Sequence, residues 1–160
     1  MPQIEGCDID LPEIQELDTS KIIEHKLHQA IKQKPNTAII VEDQSLVIDS
    51  LNGLPGPLIK WFLKSLDLNG LYKLSQSMGN CSAHATTIIG YCSDSGEFNY
   101  FESTIEGQIV APIGDNGWGW DPIFLPNGHN LTFGQMSPEQ KNQFSMRKIA
   151  LEKLKSFLNL

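Results

Sequence analysis

The chain has 160 residues, of which 40% are hydrophobic and 19% charged, and a formal net charge of −7. That length fits one domain with a core of its own, and the balance is that of an ordinary globular protein. The acidic excess argues against a nucleic-acid binder, which needs a basic face, and no run of about 18 apolar residues is present to cross a membrane.

Residues 20–34 predict an amphipathic helix: Ile22, Ile23, Leu27, Ala30 and Ile31 fall on one side, and Pro35-Asn36 end it. Thr37-Ala38-Ile39-Ile40-Val41 is a nearly continuous apolar run, the pattern of a strand buried on both faces. It ends in Glu42-Asp43, and Leu46-Val47-Ile48 is a second β-like stretch. Asn52 to Pro57 read as a rigid loop, with Pro57 in the first turn of a helix over 57–66, and a short helix follows at 68–77. His84–Tyr91 and Phe98–Thr104 are strands joined by the turn Ser93-Asp94-Ser95-Gly96, and a third strand is expected at 106–111, giving a meander. The last helix is capped by Ser137, with Pro138 at its first position and Gln140 completing a capping box. Phe144, Leu151, Leu154 and Leu158 then line one face. The order predicts a single α/β domain over 1–160, a mixed central sheet flanked by helices.

The start of the chain, Met1-Pro2-Gln3-Ile4-Glu5-Gly6, has neither the basic nor the apolar region of a secretory signal. Cys7, Cys81 and Cys92 form no CxxC pair and suit a reducing, cytoplasmic setting better than a disulfide framework or a zinc site.

Four clusters carry possible chemistry. Asp10-Leu11-Pro12-Glu13 is acidic and kinked, and by itself reads as a solvated loop. Glu42-Asp43 lies at a strand end, where α/β sheets gather ligands. The two carboxylates alternate sides, so only one faces a given pocket. Such a group can hold Mg²⁺ or activate a water, or simply cap the strand. In Gly117-Trp118-Gly119-Trp120-Asp121-Pro122 glycine keeps the backbone open and indole offers a stacking face; the alternative is a turn whose tryptophans cover a core edge. Asp121, before proline, is held extended. In Lys141 to Arg147, Lys141 and Ser145 are one helical turn apart. Arg147, the sole arginine, can donate paired hydrogen bonds to a carbonyl or phosphate, unless this is an ordinary solvated helix face. The four histidines show no metal spacing.

Together these clusters resemble the inosine triphosphate pyrophosphatase (Ham1-like) family. Val41-Glu42-Asp43, then Leu51 to Leu63, Ile109 to Pro112, Gly119 to Phe124, Met136, Lys141-Asn142 and Ser145 recur in the family's order. The resemblance covers residues 8–158 and implies a Ham1/Maf-like fold. It also implies hydrolysis of inosine, deoxyinosine and xanthosine triphosphates to the monophosphate and pyrophosphate, with Mg²⁺ (or Mn²⁺) as cofactor. By position, Glu13 and Asp43 match the metal-associated carboxylates, and Asp43 also the group that activates water. Lys26, Lys60, Lys141 and Arg147 match substrate-binding cations. Trp118, Gly119, Trp120 and Asp121 match the base-binding stretch. Family members are usually homodimers, with 53–63 a candidate contact. Two departures are expected to weaken substrate binding. The family's first strand and its Thr/Ser-Gly-Asn-x-x-Lys phosphate loop are not found here, so the fold is expected to be N-terminally shortened. Met146 stands where the family has a hydrogen-bonding histidine.

Overall fold

A computed structural model describes residues 4–160. After an irregular stretch, α1 (Thr19–Gln33) is capped by Asp18, whose carboxylate accepts from the Ser20 amide. Its buried stripe is Ile22, Ile23, Lys26, Leu27 and Ala30: the expected apolar face, with one lysine inside it. Strand β1 (Ile39–Ile48) runs unbroken through both β-like stretches of the sequence. After a 3-10 turn (Asp49–Leu51) come the two-residue β2 (Pro55–Gly56) and α2 (Ile59–Ser77). The two helices expected at 57–66 and 68–77 are one element interrupted at Asp67, whose φ of 58° is not helical. Pro57 lies just outside it.

Strands β3 (Ser82–Cys92) and β4 (Phe98–Ile109) form the central hairpin. The separate strand expected at 106–111 is the end of β4, because Ile105 to Gln108 continue the pairing with β3 without a break. Strand β5 (Phe124–Pro126) follows a 3-10 turn at Asp121–Ile123. The sheet order is β2-β1-β3-β4-β5, and all four pairings are antiparallel. The α/β class and the flanking helices are as expected; the parallel pairing that a mixed sheet contains is not found among the described residues. Neighbours here follow each other through hairpins or turn back after α2, so no crossover forces parallel pairing.

Pairing also corrects the burial expected of β1. Beyond β3, only Leu46 and Val47 gain a second strand neighbour, in β2. Ile39 to Gln44 are therefore half-buried rather than enclosed on both faces. The strand presents alternate residues to two layers. On one side α1 packs so tightly that a Cβ at Gly90 would meet Leu27 Cδ1 at 2.8 Å. On the other side Leu46, Ile48, Ala83, Ala85 and Ile109 meet Trp120, Phe124, Phe133 and Met146 in the main core.

The single last helix of the sequence reading is two helices. α3 (Pro138–Lys141) has the expected Ser137 capping box, and α4 (Met146–Phe157) begins afresh. The reason is a second cap: the Ser145 hydroxyl accepts from the Lys148 amide, and Ser145 is buried.

Candidate active site

Alternation along β1 splits its two carboxylates. Asp43 faces α1, where its Oδ1 lies 2.6 Å from Lys26 Nζ. Glu42 points to the opposite layer, where its Oε2 accepts from Arg147 Nε at 2.9 Å. The Lys26 side chain is only 10% exposed and that of Asp43 15%, so this pair lies largely out of water.

Glu13 closes on the same lysine, 3.1 Å from Nζ, and its other oxygen lies 4.0 Å from Lys60 Nζ. Lys26 therefore sits between two carboxylates, with Glu42 adjacent. Burial pushes the Asp43 carboxyl up, Lys26 pulls it down, and repulsion from Glu13 and Glu42 pushes it up again; the balance lies above the ordinary 3.8. Burial alone would lower the Lys26 ammonium, but its hydrogen bond to Asp43 and the charges of Asp43 and Glu13 outweigh that and hold it above 10.5. Both shifts point upward for different reasons: burial leads for Asp43, and the two carboxylate partners for Lys26. Among the described residues, no three or more His, Cys, Asp or Glu side chains converge as a preformed metal cage.

The glycine-tryptophan turn has a different interior from the one its sequence suggests. Trp120 is 2% exposed and packs edge-on against Phe124, with ring centroids 5.5 Å apart, and against Phe133. No indole face remains for a base, so the core-edge reading holds for Trp120. Trp118 is the reverse, 58% exposed. Asp121 is buried beneath the turn, and its Oδ2 accepts from the Trp118 amide at 3.0 Å and from Lys141 Nζ at 2.6 Å. Gly117 is required there: its φ is +77°, and a Cβ would fall 2.0 Å from that carboxylate oxygen. The Lys141 ammonium also lies over the Phe133 ring, 4.7 Å from its centroid.

These contacts join into a closed circuit. Asp43, Lys26, Glu13 and Lys60 lead to α2. Leu63, one turn along α2 from Lys60, lies 3.9 Å from where a Cβ on Gly119 would be. From there Trp118, Asp121 and Lys141 lead to Ser145 and Arg147, and Arg147 returns to β1 at Glu42. The sequence-predicted residues, apart from the Trp120 side chain, thus belong to one rim of linked contacts, of which the Asp43–Lys26 and Glu42–Arg147 parts lie on opposite faces of the sheet. Met146 is 1% exposed and belongs to the core. Glu42 is the contributor that sequence reading left without a role; alternation from Asp43 and the uniqueness of Arg147 were the available signals. A recess of about 400 Å³ opens beside Glu13, Lys26 and Glu42. Another, of about 450 Å³, is lined by Asp49, His84, Glu106 and Asn127 and holds none of the residues singled out from the sequence.

The Ham1 family profile matches residues 1–157. The inosine triphosphate pyrophosphatase of Candida glabrata is 41% identical over 152 residues, covering 94% of this chain and 79% of that protein. Among solved structures, a HAM1 protein from Coxiella burnetii superposes with a TM-score of 0.81 at 25% identity, covering 93% of this chain and 81% of that one. A nucleoside-triphosphatase, dITP/XTP pyrophosphatase from Mycobacterium abscessus, gives a TM-score of 0.73 at 26% identity, covering 96% and 82%. On a profile match along nearly its whole length, a close curated relative and a shared fold, this chain belongs to the Ham1 family.

Proposed function

We propose that this chain hydrolyses non-canonical purine nucleoside triphosphates, those of inosine, deoxyinosine and xanthosine, to the monophosphate and pyrophosphate. The observation that carries the reading is the single rim on which a buried Asp43–Lys26 pair, three further cations and an exposed indole meet, in a chain of the Ham1 family. A polyphosphate needs clustered cations inside an otherwise acidic molecule, and a purine needs a flat apolar face.

Asp43 is the base. It orients a water at the α-phosphorus and takes its proton as the new phosphorus–oxygen bond forms and pyrophosphate leaves. Its raised carboxyl suits that task. Lys26, Lys60 and Lys141 balance phosphate charge, so catalysis rests on positioning and electrostatics. Trp118 stacks on the base, while Gly119 lets the backbone approach and Asp121 holds the turn and Lys141 in place. Trp120 supports this stretch from the core. Arg147 donates toward the purine 6-carbonyl; adenine offers an amine there and leaves the donor unpaired, a mismatch that discriminates by factors of roughly 10⁴.

The donor set at Glu13 and Asp43 fits a hard divalent ion. Two carboxylates converge on the cation position that the Lys26 ammonium fills, and Mg²⁺ is commonly held by one or two carboxylates plus substrate phosphates. These two residues would hold Mg²⁺, or Mn²⁺, and the bound ion would screen phosphate charge.

The deciding assay is release of pyrophosphate from inosine triphosphate against ATP and GTP, with and without Mg²⁺. Preference for inosine triphosphate is expected, and equal turnover of all three would overturn the selectivity argument. Calorimetric binding without pyrophosphate release would instead mark a nucleotide-binding relative. We also infer a homodimer, which light scattering tests. Within the candidate contact 53–63, Pro55, Gly56 and Ile59 are buried in the chain itself, which leaves Trp61, 48% exposed, as its largest apolar surface.

A further inference from the structure

Near the start of α2, Trp61 and Lys64 form a group with Lys60, and the substrate roles above use neither of the first two. Lys60 and Lys64 are four residues apart, hence neighbours on one helix face together with Leu63. Like charges at this spacing repel, and the first turn of α2 contains no acidic residue to offset them. Lys60 has only the 4.0 Å contact with Glu13, and Lys64 has no ion-pair partner among the described residues. Both ammoniums instead rest on Trp61, at 5.7 and 5.6 Å from its ring centroid, and that indole is 48% exposed.

The orientation of this group is fixed by its neighbours. Lys60 reaches Glu13 of the Lys26–Asp43 cluster, and Leu63 touches the turn at Gly119. Lys64 shares their side of the helix, so it faces the same rim. A chain with an excess of seven negative charges here keeps two cations together with one distant carboxylate between them. A bound polyanion is what relieves that repulsion. The aromatic face holds each ammonium without neutralising it, because a ring quadrupole attracts a cation but carries no net charge.

We propose that Trp61 is a positioning residue that holds Lys60 and Lys64 as a cation pair for the distal phosphates of the substrate, and that Lys64 is a further phosphate contact. The proposal rests on the nucleotide reading for the identity of the substrate, but the cation pair can be tested apart from it.

Two measurements on the full chain separate the cases. Lys64→Gln is expected to raise KM for inosine triphosphate roughly fivefold, more than it lowers kcat, the size of one partly exposed charged contact. That difference should shrink in high salt. Lys64→Arg should restore most of the affinity. Trp61→Leu should weaken binding at least as much as Lys64→Gln, and Trp61→Phe should recover most of it, with far-UV circular dichroism unchanged in both. In parallel, calorimetry with inorganic tripolyphosphate should show wild-type binding that Lys64→Gln weakens about equally. If inosine triphosphate is turned over and Lys64→Gln leaves KM unmoved, the cation pair is wrong while the nucleotide reading stands. If tripolyphosphate binds and depends on Lys64 but inosine triphosphate is not cleaved, the opposite holds. If wild type binds neither, both fall.

Discussion

Asp43 is a carboxylate held above its usual range, by burial first and by the neighbouring Glu13 and Glu42 after it. That rise makes the acid limb of the pH profile informative. Asp43 must be ionised to take a proton, so kcat/KM should fall as pH drops through its raised pKa, above the ordinary 3.8. Glu42 contributes to that rise by repulsion, and Glu42→Gln should therefore move the acid limb to lower pH; an unmoved limb would contradict the assignment of Asp43 as base. The stability linkage of Lys26 has the opposite reach. With its folded pKa raised, its stabilising contribution is complete below 10.5 and is lost as pH climbs through the folded value. Thermal melts should show an alkaline decline that Lys26→Met abolishes. The two tryptophans give the sharpest contrast at this scale. Trp120→Ala empties a buried ring site and should cost about 3–5 kcal/mol in denaturant melts. Trp118→Ala should leave those melts nearly unchanged but raise KM roughly tenfold, since base stacking contributes about 1–3 kcal/mol. Equal effects of the two on stability would deny the division between core and site.

At the level of elements, most of the chain was legible because periodicity marks a buried stripe. The α1 face was read correctly, whereas Lys26, buried inside that stripe, entered only through the family resemblance, because a lysine carries no apolar signal. Helix 138–157 shows what periodicity misses: the apolar rhythm passes through Ser145, but a buried hydroxyl accepting from Lys148 starts a new helix there. Likewise β1 was read as two strands because Glu42, Asp43 and Gln44 interrupt the apolar run, although pairing with β3 continues from Ile39 to Ile48. The exposure of Trp118 and the burial of Trp120 were not legible either, because both are spaced by glycines with positive φ, and a turn of that kind has no fixed inside. The element-scale test is therefore Gly117→Ala. A Cβ there collides with Asp121, so the turn must open and release Lys141. Expected are a KM increase at least as large as that of Trp118→Ala and a change in tryptophan emission; unchanged values of both would show that the Asp121–Lys141 anchor is not what shapes the turn.

Over the whole molecule, the rim is assembled from segments distant in the chain: the loop at Glu13, α1, β1, α2, the turn at 117–121 and the start of α4. Several of its links are single polar contacts, such as Arg147 to Glu42 at 2.9 Å and Glu13 to Lys60 at 4.0 Å. Exposed ion pairs of this kind contribute little alone, about 0–1 kcal/mol. A ligand that touches all these segments therefore has more to gain from ordering them than from any one contact. Saturation links that gain to stability: at a concentration of about 100 Kd, a ligand bound only by the folded state adds roughly 2.7 kcal/mol. For a domain of this size that corresponds to a rise in Tm of about 5–10 °C. An inosine triphosphate analogue with a non-cleavable α,β bridge, given with Mg²⁺, should produce that rise. The matching adenosine analogue should produce much less, because Arg147 gains no acceptor. Withholding Mg²⁺ should reduce the rise, since the triphosphate then meets the negative field around Asp43 unscreened. Equal shifts from both analogues would place recognition in the phosphates alone and remove the 6-carbonyl from the account.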